Sequence, residues 1–143
     1  MNARQQIINA QKRELQNAGY DLASRPGIRF NHGSETAAHF LSKALTGWLL
    51  HTHGYVVDSE IEMDGYVCDL IAYGLEDRRP VLVEIETESQ DGIWELKWDK
   101  LGSGEIRELY VLDPIDLSDP LAKQGQEYRS ELGCSGTSGP FVG

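Results

Sequence analysis

Residues 65–88, GYVCDLIAYGLEDRRPVLVEIETE, constrain the fold of this chain more than any other stretch. They contain two apolar runs of strand length, separated by turn-forming residues. The first run carries Asp69, and the second carries Glu84 and Glu86. Because side chains alternate between the faces of a strand, Glu84 and Glu86 share a face, about 6–7 Å apart at ~3.3 Å per residue. If the two strands pair, Asp69 joins them, so the sequence predicts three carboxylates on one sheet face.

Three convergent carboxylates favour a hard divalent cation, Mg²⁺ or Mn²⁺, because both ions prefer oxygen ligands. Asp69 lies among apolar residues, where a carboxylate is costly unless it is paired or bound to a metal. A structural alternative remains open for each acid. Asp69 would then bond to the backbone inside the core, and the glutamates would form the solvated face of a half-exposed strand.

The rest of the chain supplies helices and further strands around this stretch. The patterns predict helices at 3–18, 34–53, 92–101 and from 120 onward, and strands at 55–63, 66–73, 81–88 and 106–112. The first three strands read as an antiparallel meander. The helix between the third and fourth implies a crossover and a parallel pair. We therefore predict an α/β fold, a mixed four-stranded sheet with an α-β-β-β-α-β core and helices on its faces.

The second predicted helix carries the strongest helical pattern. Ser34 is a suitable N-cap. Ala37, Leu41, Ala44 and Trp48 fall at helical spacing and form an apolar stripe, with Ala38, Leu45 and Leu49 beside them. Glu35 and His39 are four residues apart and lie off that stripe. As a structural alternative, Glu35 sits in the first turn only because the helix dipole favours an acid there.

Length and composition indicate one domain. With 143 residues, 40% of them hydrophobic, the chain is long enough to bury a core. We predict a single domain at 1–132, with its core at 34–113, and a flexible Gly/Ser-rich tail at 133–143.

The charge balance is strongly acidic. The net charge of −10 comes from 23 acids against 13 bases, which argues against broad, nonspecific nucleic-acid binding but not against a local basic groove. An acidic surface is also typical of chains adapted to high salt, where charges are screened. This suggests a haloarchaeal or viral source as a hypothesis; the alternative is an ordinary solvated acidic surface.

The hydropathy and cysteine patterns argue against a membrane, secreted, zinc-binding or disulfide-bonded protein. No apolar run reaches the ~18–20 residues of a membrane span, and the N-terminus has no apolar signal-peptide core. We therefore expect a cytoplasmic protein without a membrane partner. The chain has two cysteines, Cys68 and Cys134, and no CxxC or Cys/His cluster, so neither a zinc site nor a disulfide is expected.

The order of elements and the placement of the acids resemble the PD-(D/E)XK nuclease superfamily, the restriction-endonuclease-like fold. That family carries an acid on its first core helix, an acid on its second strand and E-x-K on its third. Glu35, Asp69 and Glu84 match these positions, and Glu86 stands where the lysine usually stands. The resemblance covers residues 34–113, and the motif itself is short.

The resemblance implies a metal-dependent endonuclease acting on nucleic acid, with DNA the expected substrate. Asp69, Glu84 and the Ile85 carbonyl would hold Mg²⁺ or Mn²⁺. Glu86 would orient or deprotonate the attacking water. Glu35 would support the metal site. The missing lysine would come from the following helix, which offers Lys97 and Lys100.

Two alternatives remain open. Because Glu86 stands in place of the motif lysine, the chain is also compatible with a catalytically degenerate member of the same fold that binds DNA or protein. An unrelated α/β interaction domain with a solvated strand face is the other. The resemblance also leaves open a homodimer, since many relatives cut two strands as dimers.

Overall fold

The computed structural model describes residues 2–31, 35–63, 65–76, 78–85, 106 and 108–133. These residues form three helices and four strands. In chain order they are α1 (Ala3–Ala18), α2 (Ala37–Thr52), β1 (Val56–Met63), β2 (Tyr66–Tyr73), β3 (Val81–Ile85), β4 (Glu108–Leu112) and α3 (Leu121–Glu131). Within these ranges, no helix combines the length and the apolar character needed to cross a membrane.

The four strands form one mixed sheet in the order β1-β2-β3-β4. β1 pairs with β2 and β2 with β3 in antiparallel fashion, whereas β3 and β4 are parallel. The β1–β2 hairpin is tight, because Met63 pairs with Tyr66 and Gly65 takes a positive φ of 84°. The predicted fold class, a mixed sheet with helices on its faces, is therefore confirmed.

Several predicted boundaries shift. β1 and β4 begin slightly later than predicted, at Val56 and Glu108. The predicted strand residues 86–88, the predicted helix at 92–101 and the tail beyond 133 lie outside the described residues.

The start of α2 also differs from the prediction. Thr36, rather than Ser34, is the N-cap, because its Oγ1 accepts the backbone N–H of His39. Glu35 therefore lies just before the helix and not in its first turn, so its carboxylate can contact side chains outside that turn.

The sheet separates two hydrophobic cores. Leu45 and Leu49 of α2 pack with Leu70 and Val83 on one face, and this core extends to Tyr128 of α3. On the other face, residues of α1, the following loop and the sheet pack together: Leu15, Tyr20, Ile61, Ile71 and Leu82. This arrangement explains why β2 and β3 are almost continuously apolar, since both of their faces are covered.

Only part of the apolar pattern of α2 faces the core. Leu41 and Trp48 are exposed, at 43% and 44% of their surface, and Ala37 is exposed as well. The buried face is the neighbouring one, Ser42, Lys43, Leu45, Thr46, Gly47, Leu49 and Leu50. The two stripes are adjacent on the helix and both contain large apolar residues, so helical periodicity alone does not decide which of them is buried.

A matched pair of substitutions tests which face of α2 is buried. Leu49→Ala leaves a cavity in the core and should lower the free energy of unfolding by about 2–5 kcal/mol. Leu41→Ala removes the same atoms from a half-exposed site and should cost under about 1 kcal/mol. Urea unfolding of both variants checks the difference, and equal losses would contradict this placement of the helix.

Candidate functional site

Three acids form a row across the sheet. β1 and β2 pair Ser59 with Leu70 and Ile61 with Cys68, so Glu60 lies opposite Asp69. β2 and β3 pair Leu70 with Val83, and the next positions along are Asp69 and Glu84. By continuation of the register, Glu60, Asp69 and Glu84 lie at the same level of three neighbouring strands.

The regular alternation of side chains is interrupted at this row. In β2, Cys68 and Ile71 both belong to the core on the α1 side, although they are three residues apart. In β1, Glu60 has a φ of 53°, a left-handed conformation that is rare for a non-glycine residue. Such local strain is typical of functional sites, where the surrounding structure over-determines the backbone.

A buried lysine lies beside the row. Lys43 of α2 is 0% exposed. Its Nζ lies 2.7 Å from Glu35 Oε1 and 2.7 Å from Glu60 Oε1, and it donates to the Arg29 carbonyl at 2.6 Å. The three donors of the ammonium thus meet two carboxylates and one carbonyl. A buried cation of this kind is tolerated only with such partners.

Glu35 connects Lys43 to a histidine. Its Oε1 lies 2.9 Å from His39 Nδ1, and its Oε2 accepts the Asn31 N–H at 2.6 Å. The other ring nitrogen of His39, Nε2, lies 3.4 Å from Asp69 Oδ2. A continuous chain of charged groups therefore runs from Lys43 through Glu35 and His39 to Asp69.

These contacts shift the ionisation of the three titrating groups. The hydrogen bond with Asp69 raises the pKa of His39, burial lowers it and the bond with Glu35 raises it, with a result of about 9. Burial raises the pKa of Asp69, but hydrogen bonds with His39, the Ile85 N–H and Glu84 outweigh it and hold that pKa below its ordinary value.

Glu35 behaves in the same way. Burial raises its pKa, but the bonds from Lys43, the Asn31 N–H and His39 prevail and lower it. Glu35 and Asp69 are therefore carboxylates at neutral pH, and His39 is an imidazolium that donates to both. Clusters of perturbed groups are enriched at functional sites, although structural ion-pair networks also produce them.

Asp69 and Glu84 are cross-linked through the main chain. Asp69 Oδ2 accepts the Ile85 N–H at 2.8 Å, and Glu84 Oε2 accepts the Asp69 N–H at 3.3 Å. Both residues are buried. Each strand therefore fixes the carboxylate of the other.

The chemistry of this donor set fits a hard cation only in part. Among the described residues, no group of three or more His, Cys, Asp or Glu side chains is arranged to hold a metal. In many Mg²⁺ sites, however, the protein supplies only one or two carboxylate ligands, because Mg²⁺ keeps several of its waters. Asp69 and Glu84 can thus provide two ligands, and Ile85 lies next to them in β3.

The predicted site residues therefore have different outcomes. The structure brings together Glu35, Asp69 and Glu84, with Ile85 beside them, through the contacts given above. Glu86, Lys97 and Lys100 lie outside the described residues.

The sequence analysis missed Lys43 and Glu60 as site residues. The spacing of Glu35, His39 and Lys43, at intervals of four residues, could have identified Lys43, because it places the three side chains on one face of the predicted helix. No comparable pattern marks Glu60.

Comparison with known proteins adds no relative. No family model matches the chain, and neither a curated protein nor a solved structure matches it. The site therefore has to be interpreted from its own geometry.

Removing the buried ammonium should destabilise the fold. Lys43→Met keeps an unbranched side chain but leaves Glu35 and Glu60 without their cation, so the free energy of unfolding should fall by about 3–5 kcal/mol. Lys123→Met is the matched control. Lys123 is exposed and lies 3.8 Å from Asp119, and its loss should cost under about 1 kcal/mol. Chemical denaturation distinguishes the two, and a Lys43→Met variant as stable as the control would refute the pairing.

The raised pKa of His39 predicts a specific pH dependence. Its folded pKa of about 9 exceeds the ordinary value of 6.5. The stability contributed by His39 is therefore fully present below pH ~6.5 and is lost as pH rises through ~9. The stability difference between the wild type and His39→Gln should shrink over this window. Denaturation at a series of pH values measures it, and a constant difference would contradict the assignment.

Proposed function

We propose that this chain is a metal-dependent nuclease that hydrolyses phosphodiester bonds, with DNA as the expected substrate. The observation that supports the proposal is that β2 and β3 hold the Asp69 and Glu84 carboxylates side by side, each bonded to the backbone of the other strand. Both carboxylates are buried on strands whose other residues are almost all apolar, and each accepts a backbone N–H from the neighbouring strand. Their sheet is also the mixed four-stranded sheet predicted for the element order that resembles the PD-(D/E)XK superfamily.

In this proposal, Asp69 and Glu84 hold Mg²⁺ or Mn²⁺ together with the Ile85 carbonyl. A bound ion of this kind would polarise the phosphodiester and lower the pKa of a water nucleophile. The protein's part is to hold the two carboxylates ionised and correctly oriented, and the contacts with Ile85 and His39 do this for Asp69.

Lys43 and Glu35 have positioning roles in the proposal. Lys43 anchors Glu35, and Glu35 orients His39 against Asp69. Since the Lys43 ammonium already has three partners, it supports the site from behind and does not contact the substrate. The proposed roles of Glu86 as the group that orients water, and of Lys97 or Lys100 beside the phosphate, are carried over from the sequence.

One observation favours the second candidate, a non-catalytic member of the same fold that binds DNA or protein. His39 places a positive charge 3.4 Å from Asp69 Oδ2. That charge competes with a metal ion for the same carboxylate, as a cation does in any ion pair. Such a protein would keep the fold and the charged network but bind divalent ions weakly.

A cleavage assay tests the leading proposal. Plasmid, linear and branched DNA are incubated with Mn²⁺, Mg²⁺ or EDTA. The wild type should cut only with metal, and Asp69→Asn and Glu84→Gln should each lower the rate about a hundredfold or more, because a lost metal ligand removes several kcal/mol of transition-state stabilisation.

Glu62→Gln is the matched control, because Glu62 is an exposed glutamate of β1. It should cut at the wild-type rate. Calorimetric titration with Mn²⁺ separates the candidates. Metal binding without cleavage, lost in Asp69→Asn, would favour the binding module. Cleavage that survives Glu84→Gln would refute the proposed site.

A further inference from the structure

An exposed aromatic pair adjoins the candidate site. Phe30 and Phe40 stack with ring centroids 4.1 Å apart and planes inclined by 14°. Phe40 belongs to α2 and directly follows His39, and Lys43 Nζ lies 5.7 Å from its ring centroid. Phe30 is nevertheless 69% exposed. Since Phe40 covers one face of the Phe30 ring, the opposite face is open to solvent.

The backbone presents Phe30 rigidly. On one side, the Arg29 N–H donates to Ser59 Oγ at 2.7 Å, and the Arg29 carbonyl accepts from Lys43 at 2.6 Å. On the other side, the Asn31 N–H donates to Glu35 at 2.6 Å. An exposed ring held between two anchored residues loses little conformational entropy when a ligand stacks on it.

The charges around the pair disfavour phosphate as the group recognised there. Arg29 lies 2.7 Å from Asp58, Lys43 is enclosed by Glu35 and Glu60, and His39 lies between Glu35 and Asp69. The chain as a whole carries a net charge of −10. Contacts with a polyanion at this edge must therefore depend on a non-ionic interaction, and base stacking is one that every nucleobase can make.

The size of the open face also selects the partner. A stable protein partner buries about 800 Å² on each side, far more than one ring face offers. A single nucleobase matches one ring. We infer that the open face of Phe30 is a stacking platform for an unpaired nucleobase, which makes single-stranded or frayed nucleic acid the substrate class. This inference rests on the proposed function, since it assigns the substrate of that same site.

Binding without cleavage tests the platform separately from the nuclease activity. Fluorescence anisotropy is measured in EDTA with a labelled thymine homo-oligonucleotide, the duplex of the same length, and an abasic strand of the same length. The wild type should bind the single strand more tightly than either other probe. Phe30→Ala should raise its Kd about fivefold or more, since one base stack is lost.

Two matched variants show whether the aromatic ring is responsible. Phe30→Trp keeps a stacking face and should bind within about twofold of the wild type. Leu117→Ala removes a residue that is 60% exposed in the turn before α3, and it should leave the Kd unchanged. Should Phe30→Ala fail to fold, Phe30→Leu, which keeps apolar volume without a ring, replaces it. The affinity should also depend weakly on salt, compared with a slope of about −0.7 per neutralised phosphate.

The outcomes separate the two proposals. Equal binding by Phe30→Ala and the wild type, no preference for the single strand over the abasic strand, or no binding at all would overturn the stacking platform, whatever the cleavage assay shows. Base-dependent binding that needs Phe30, in a protein that cuts no DNA, would support the platform and refute the nuclease proposal alone.

Discussion

The burial of the Lys43 ammonium is the constraint on which the rest of the site depends. A charge removed from water needs compensating partners, and Lys43 finds two carboxylates and a carbonyl. Those partners come from two places, the connection between α1 and α2, which supplies Glu35 and Arg29, and β1, which supplies Glu60. Lys43 thus joins α2 to two other parts of the chain, and it places α2 at a defined height above the sheet.

The consequences extend from Lys43 to the candidate metal ligands. With Glu35 anchored, His39 is held between two carboxylates, and its ionised form is favoured. Asp69 is in turn oriented by His39 and by the Ile85 N–H. The network therefore organises Asp69 from both sides before any ligand binds, which is the preorganisation that catalytic and binding sites need.

In the same network, a metal ion and the His39 imidazolium would compete for the Asp69 carboxylate, and the function of the site depends on which of them binds there. A nuclease of the proposed kind needs a metal at Asp69 and Glu84, whereas the described residues already bring an imidazolium to Asp69. The nearby aromatic pair adds a contact that does not depend on charge. For a strongly acidic chain, such a contact retains its strength in salt, where phosphate contacts weaken.

Much of the fold and part of the site followed from local patterns. The strand pattern of 66–73 and the helix pattern of 3–18 depend on near neighbours in the chain, and both elements appear where predicted. Asp69 and Glu84 were identified for the same reason, since an acid inside an apolar strand is visible without knowledge of its partners.

By itself, the sequence determined the order of the elements, the mixed sheet and the pair of acids on β2 and β3, because periodicity and turn chemistry are local. Only the tertiary structure decided which face of α2 is buried, that Lys43 joins Glu35 to Glu60, and that Phe30 stacks on Phe40. These contacts join residues from separate segments. Two adjacent faces of α2 carry apolar residues, and the face that is buried includes Lys43, whose partners lie elsewhere in the chain.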